Sequence, residues 1–344
     1  MISPELPLPP HFDPDKVGKV WRVPYQNIAD TAPGWSQDHD IRSHANSGPR
    51  VCLVLVDVQN TFCIPDFELY VGGRSGTGAI DDNRRLCEFV YRNLANISQI
   101  IPTMDTHHAM QIFHGIFLVN SEGAHPPPYT LVTLEDIQQG RWRFNPVVGD
   151  HLGMSAEQGQ LHLEHYARQL QDSGKYALTV WPYHAMLGGI GHALVSSVEE
   201  AIFFHTMARR IQPTWHVKGS HPLTEHYSVL GPEVVTDPDG DVLAEKSDTI
   251  MQALKSHDAV IITGQAKSHC VAWTIDDLLA DALAEDARLV SKVYLLEDCT
   301  SPVVVPGVID YTDDADAAFR RFSDSGMHVV RSIDPMANWP GLGA

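Results

Sequence analysis

The sequence predicts an α/β protein of three layers (α/β/α), with a central, mostly parallel sheet held between helices. Two unbroken apolar runs, Val51-Cys52-Leu53-Val54-Leu55-Val56 and Ala259-Val260-Ile261-Ile262-Thr263, are short and rich in β-branched residues, as strands covered on both faces are. Segments of helical period alternate with such runs. Spacings of roughly 30 residues or more between strands leave room for the crossover helices that parallel pairing needs. At 344 residues, 43% hydrophobic and 19% charged, the chain can bury one large core.

In chain order, residues 1–49 are rich in Pro, Asp, Ser and Asn with little periodicity, and read as an N-terminal arm lying on a body or on another subunit. Residues 50–344 read as a single domain. After the first strand, residues 80–97 set Leu86, Val90, Leu94 and Ile97 on one helical stripe, and a second strand over 100–104 ends at Asp105. Residues 109–176, broken by His125-Pro126-Pro127-Pro128 and several glycines, read as an insertion in which 156–170 can be helical. A helix over 193–210, a strand over 214–218 and a second, loop-rich insertion over 220–246 follow. A short helix leads to the strand at Ala259. Residues 264–269 then turn, and a helix begins at Cys270. A strand over 291–296, a helix capped by Thr312-Asp313-Asp314 and running through Phe319 and Phe322, and a strand over 327–331 complete the set.

Charge excludes one class of function. The chain carries 24 Lys and Arg against 43 Asp and Glu, a formal charge of −19. No basic cluster stands out, so neither nucleic acid nor an anionic membrane surface is an expected partner. Five cysteines without CxxC spacing suggest no disulfide framework and fit a reducing compartment. The opening Met1-Ile2-Ser3-Pro4-Glu5-Leu6-Pro7 has no basic or apolar leader pattern, so a cytoplasmic protein is expected. Nineteen histidines, several of them between Asp105 and His125, direct attention to metal or proton chemistry.

Ligands of parallel sheets bind beyond the carboxyl ends of the strands, and there the sequence places Asp57, Asp105-Thr106-His107, Lys218 and Ser268-His269-Cys270. Singly, each has an ordinary reading: Asp as a turn residue, Lys as a solvated strand end, Cys as a small buried group. Together they form a nucleophile set. A thiol at a helix start is expected to ionise readily near the positive end of the dipole. Asp57 can take its proton, and Lys218 can hold Asp57 ionised. Free N–H groups in the turn before Cys270 can hold an oxyanion, which is acyl-transfer chemistry. His269 invites a Cys-His dyad, but adjacent residues at a helix start point in different directions, so Asp57 is preferred as base. Asp105 and His107 alternate along a strand end and share a direction, so they can converge on a cation such as Zn²⁺, with His184 completing the set. The glycines of 73–78 and 188–191 form no dinucleotide-binding fingerprint.

The motifs resemble those of the isochorismatase-like cysteine hydrolases, in their nicotinamidase-like branch. Val56-Asp57-Val58-Gln59-Asn60-Thr61-Phe62-Cys63 resembles the opening motif of that superfamily, Gly264-Gln265-Ala266-Lys267-Ser268-His269-Cys270-Val271 its nucleophile turn, and Val217-Lys218-Gly219 its lysine segment. Trp181-Pro182-Tyr183-His184 with Leu187-Gly188-Gly189-Ile190-Gly191 is similar to a nicotinamidase segment. The resemblance spans residues 51–331 and implies an isochorismatase-like fold of Rossmann-like topology. It implies Asp57 as base, Lys218 as its partner, Cys270 as nucleophile, the backbone N–H groups of Ala266 and Cys270 as oxyanion hole, and a cis peptide at Gln265-Ala266. It also implies that Asp105, His107 and His184 bind a divalent metal, Zn²⁺ first among candidates, whose open positions receive the substrate, with His114 a candidate further ligand.

The activity so implied is hydrolysis of a small-molecule amide, nicotinamide or a related heteroaromatic carboxamide, to carboxylate and ammonia through a thioester. Phe62 and Trp181 read as aromatic walls of the pocket, and His108, His125 and His192 as solvated or supporting groups. The insertion between His107 and His184 is longer than nicotinamidases usually have. An N-carbamoyl or maleamate-type substrate, and a catalytically silent binding or assembly module, therefore stand as alternatives. Arm and insertions are expected to pack on neighbouring subunits of a homo-oligomer and to narrow the pocket mouth.

Overall fold

The computed structural model describes residues 1–43 and 48–342; residues 44–47 of the expected arm, and residues 343–344, lie outside the described residues. Six strands form one sheet: β1 (Val51–Val56), β2 (Ile97–Asp105), β3 (His216–Lys218), β4 (Ala259–Gly264), β5 (Val293–Leu296) and β6 (His328–Val330). Their order is β6-β5-β4-β1-β2-β3, and every pairing is parallel. Every residue of β1 is buried. Val51, Leu53 and Leu55 enter one core and Cys52, Val54 and Val56 the other, which is the period-two alternation of a strand covered on both sides.

The longer helices are α1 (Tyr25–Asp38), α2 (Gly78–Arg92), α3 (Ala156–Asp172), α4 (Ser196–Arg209), α5 (Thr249–Ser256), α6 (Ala272–Glu285) and α7 (Thr312–Asp324). Buried residues of α1, α2 and α4 pack in the first core, and those of α5, α6 and α7 in the second. Crossovers run from β1 out to β3 on one side and from β4 out to β6 on the other. The order of strands therefore reverses between β1 and β4, where such sheets open a crevice. Gly264 makes the join there: at φ +126, a Cβ on it would lie 2.0 Å from the Val56 carbonyl oxygen. No helix among the described residues is long and apolar enough to cross a membrane.

Several elements differ from the sequence expectation. The helix expected over 80–97 stops at Arg92, where Asn93 turns back on Phe89 through its side-chain amide; Ile97 already belongs to β2, paired with Val51. Residues 1–43 contain α1, whose Ile28 and Ala32 are buried against α4, despite Pro33 and weak periodicity. α7 receives no side-chain cap from Thr312; the Asp310 carboxylate accepts the Thr312 N–H instead. Cys270 lies in a wide turn, Lys267–Val271, ahead of the regular helix α6.

Candidate active site

The motif Asp57-Val58-Gln59 begins where β1 ends. Asp57 turns the chain with a left-handed φ of +48, a region short polar side chains tolerate. Thr103 on the neighbouring β2 fixes it: the Thr103 hydroxyl accepts the Asp57 N–H at 2.9 Å and donates to Asp57 Oδ1 at 2.5 Å. Two residues on, the Gln59 amide donates to the Asp105 carbonyl and accepts from the Asp105 N–H, both at 2.8 Å. Gln59 thus binds the ends of β1 and β2 together. Asp57 and Gln59 are fully buried, so these bonds satisfy groups that would otherwise be costly.

Lys218 at the end of β3 reaches into this space rather than into solvent. Its ammonium stands 2.9 Å from Asp57 Oδ2 and 2.9 Å from Asp105 Oδ1, donates to the His226 carbonyl at 2.8 Å, and lies 3.7 Å from Cys270 Sγ. Burial alone would discharge this lysine, but Asp105 and Asp57 outweigh it and hold its pKa well above the ordinary value. The two carboxylates respond differently. Burial pushes Asp57 up against the pull of Lys218. Asp105, buried too, is driven far down by His107 and Lys218.

Cys270 departs from expectation. Burial, with Asp57 and Asp105 nearby, raises its thiol well above the usual range, and Lys218 offsets this only in part. The loss of water is the main cause, and it acts against the helix dipole. The turn that carries Cys270 is strapped by the segment after β5. Thr300 donates to the Gly264 carbonyl, Lys267 N–H to Ser301 and Val303 N–H to the Ser268 hydroxyl. The Gln265-Ala266 peptide is cis. The Ala266 N–H makes no hydrogen bond with any described residue.

Asp105, His107 and His184 come together, their ligand atoms all within 4.8 Å of one another. Lys218 occupies Asp105 Oδ1, which leaves Oδ2 on the side of the histidines. His107 Nε2 lies 2.7 Å from that oxygen, so the two face one point in space. Backbone carbonyls engage the other ring nitrogens: Gly219 for His107 at 3.1 Å, Pro182 for His184 at 2.8 Å and Ala109 for His114 at 3.1 Å. Each of these nitrogens is thereby made a donor, which leaves Nε2 as the atom able to ligate a cation. Burial keeps His184 neutral, down to about 3, and His114 down to about 4. His107, pushed down by burial, is raised overall by Asp105. The His114 ring lies 6.1 Å from that of His107 and 6.2 Å from that of His184, its Nε2 buried and unpartnered. Gly219 is required here, since at φ +86 a Cβ would lie 2.5 Å from Asp105 Oδ1.

A narrow cavity of about 30 Å³ joins the two clusters; Phe62, Trp181, Tyr227 and Val303 wall it, and Asp105, His184, Ala266 and Cys270 reach it. Phe62 and Trp181 both line it. Tyr227 and Glu225, from the second insertion, were not foreseen. Glu225 is buried with Oε2 unpartnered, and burial lifts its pKa to about 8. Irregular loops carry no periodic signal, and only the nearness of Glu225 and Tyr227 to Lys218 in sequence could have pointed to them. Among the other histidines, His192 bonds Thr106 at 2.8 Å and His108 is exposed.

No protein-family model matches the chain, and no curated protein does. Solved structures do. A nicotinamidase and pyrazinamidase of Acinetobacter baumanii shares 16% identity over 83% of this chain and 97% of its own, with a TM-score of 0.47. The yeast nicotinamidase shares 18% over 81% and 99%, at 0.49. A pyrazinamidase of Pyrococcus horikoshii, solved in complex with zinc, shares 17% over 82% and 99%, at 0.41.

Proposed function

We propose that the chain is a cysteine-dependent amidohydrolase of the nicotinamidase-like kind, cleaving a small planar carboxamide, nicotinamide or a related heteroaromatic amide, to carboxylate and ammonia. One observation carries this reading: a buried ammonium, Lys218, sits 2.9 Å from Asp57 and 3.7 Å from the Cys270 sulfur, and Cys270 borders a cavity with aromatic walls.

In the proposed reaction the Cys270 thiol passes its proton to Asp57, whose raised pKa suits it to receive one, and Lys218 stabilises the thiolate so formed. Sulfur adds to the amide carbon. The oxyanion is received by the Ala266 and Cys270 N–H groups, the first of them free to donate. Asp57 then gives its proton to the departing nitrogen, and ammonia leaves a thioester. Asp57 next deprotonates a water that attacks this thioester, and the carboxylate product departs as Cys270 regains its proton.

Asp105, His107 and His184 would hold the cation, with Zn²⁺ the best match to one carboxylate and two imidazoles. Such an ion supplies a Lewis-acid docking point for a substrate nitrogen or water. Phe62 and Trp181 orient the flat substrate and exclude water. The test is ammonia release from a panel of heteroaromatic, N-carbamoyl and maleamate-type amides, run beside metal analysis of the purified protein. Turnover of heteroaromatic carboxamides alone is the expected result; turnover confined to the other amides would replace the substrate class, and none at all would remove the activity.

A further inference from the structure

Ala266 borders the cavity, and its N–H has no partner among the described residues, so nothing at the N–H itself aims it. A peptide group is planar, and the plane that carries this N–H is fixed by what holds the residues on either side. Downstream, the Ala266 carbonyl accepts the N–H groups of His269 and Val271 at 3.0 and 3.2 Å. Upstream, the Gln265 N–H donates to the Val56 carbonyl at 2.8 Å. The Gln265 side chain is the remaining restraint.

That side chain is clamped at both ends. Its amide nitrogen donates to Asp82 Oδ2 at 2.8 Å, and its amide oxygen accepts the Ser301 N–H at 3.4 Å. Asp82 is a carboxylate on the inward face of α2, only 2% exposed, where an apolar residue is the ordinary occupant. It is held in turn: Oδ1 accepts from Arg85 at 3.0 Å, and Arg85 donates to the Asp298 carbonyl. The Asp298 carboxylate accepts the Ser332 N–H and hydroxyl, each at 2.8 Å. A buried carboxylate is costly unless it is paired and hydrogen-bonded, and here each oxygen has a fixed donor. Through the bond from Gln265 to Asp82, α2 grips the turn that carries the nucleophile.

We propose that Asp82 is a positioning residue for the oxyanion hole, acting through Gln265 to keep the Ala266 N–H aimed at the carbonyl oxygen of the substrate. The proposal rests on the amidohydrolase reading. Asp82 does not border the cavity, so it touches neither substrate nor sulfur and moves no proton in the reaction. Its effect falls on the tetrahedral stage, when the oxygen gains charge and a well-directed N–H is worth most. The thiol is left as it was, because the charged groups beside it are Lys218, Asp57 and Asp105. Loss of the clamp lets the peptide plane tilt, and a small displacement caused by a residue remote from the reacting atoms is enough to slow a reaction.

Two reactions of Cys270 separate this role from a general loosening of the fold. Pyridine-3-carbaldehyde takes the thiol across its C=O bond and gives a tetrahedral adduct whose oxygen needs the hole, whereas iodoacetamide alkylates sulfur without one. In Asp82→Ala the aldehyde should bind about tenfold more weakly and kcat should fall about tenfold to a hundredfold, while KM, the alkylation rate and bound metal stay within about twofold. Asp82→Asn, which keeps an acceptor for Gln265, should recover most of the loss. Gln265→Leu removes the other end of the same bond and should behave as Asp82→Ala does, and the double variant should be no worse than either, since both delete one interaction. If Asp82→Ala does not fold, Gln265→Leu and Asp82→Asn carry the comparison. Unchanged aldehyde binding, equal losses in aldehyde binding and alkylation, or additive effects in the double variant would overturn the proposal even if the amidase activity stands. Aldehyde binding and alkylation as stated, in a protein that hydrolyses no amide, would keep Asp82 in its role and sink only the activity.

Discussion

Lys218 Nζ and Asp105 Oδ1 lie 2.9 Å apart, so the carboxylate that faces the two histidines with one oxygen holds the lysine beside Cys270 with the other. The cation group and the nucleophile group therefore share a residue and should be separable from one side only. His184→Ala should remove bound metal and leave the alkylation rate of Cys270 within about twofold. Asp105→Asn should remove the metal and also change the alkylation rate, because Lys218 is released from one of its two anions. Metal analysis and iodoacetamide kinetics on the two variants check this; identical alkylation in both would mean the ion pair is without chemical consequence.

The nucleophile can be identified against its competitors. Cys52, Cys63, Cys87 and Cys299 are buried and pushed up by burial, Cys63 to about 12, and none of the four borders the cavity. Cys270→Ala should abolish ammonia release with an unchanged circular dichroism spectrum, and stoichiometric alkylation of Cys270 should track loss of activity. Retained turnover in that variant would be fatal to the mechanism.

The raised thiol has a pH consequence. In metal-free protein the neutral thiol is favoured below its raised pKa, so alkylation of Cys270 should be slow at pH 7 and still be climbing at about pH 10.5, where an ordinary thiol has levelled off. Lys218→Met removes the group that lowers this pKa and should shift the profile further upward. A rate already flat by pH 7 would contradict the burial argument and restore the helix-start expectation.

Gly219 offers a substitution aimed at the cation group. An alanine there must hold φ +86 and put Cβ 2.5 Å from Asp105 Oδ1 and 3.0 Å from His107 Cε1, both strain and collision. Gly219→Ala should cost about 1–3 kcal/mol of stability and most of the metal affinity. Gly264→Ala, with its Cβ 2.0 Å from the Val56 carbonyl, should cost about 3 kcal/mol or more while touching no ligand. Urea titration and metal analysis separate them; full metal binding by Gly219→Ala would show that the ligands move aside freely.

How much of this was legible depends on where each residue lies. Val51–Val56 and Ala259–Gly264 could be read because burial on both faces leaves no polar position to blur the pattern. The strand-end residues followed, since parallel strands deliver their last side chains to one edge. The end of α2 was misread because Leu94 and Ile97 continue its apolar stripe while belonging to the turn and to β2; a buried strand and a buried helix face demand the same residue types. Thr103 looked like any polar residue within a strand, and Glu225 like any loop carboxylate. Their roles come from neighbours distant in sequence, Asp57 and the cavity, which no local spacing encodes. The thiol pKa was misjudged for a related reason, because local reasoning sees the helix start but not how deeply the fold buries Cys270.

The N-terminal arm allows a last prediction. From the sequence its removal should weaken association more than it harms the core. The structure adds an intrachain role: Ile28 and Ala32 of α1 are buried, Tyr25 packs on Phe203 of α4 with ring centroids 5.0 Å apart, and Leu6 N–H bonds the carbonyl of Arg92 at the end of α2. Removing residues 2–43 would uncover the outer side of α4, where Phe203 is only half-buried even now, at about 25 cal/mol for each Å² of apolar surface exposed. The truncated chain should therefore melt at a lower temperature than the full chain, with the loss independent of protein concentration. A homo-oligomer stabilised by the arm would instead show a loss that grows with concentration, because the tighter-associating full chain gains stability by mass action first. Calorimetry at two concentrations, beside light scattering at low micromolar protein, distinguishes the outcomes. An unchanged melting temperature with a fall in mass would return the arm to a purely intersubunit role.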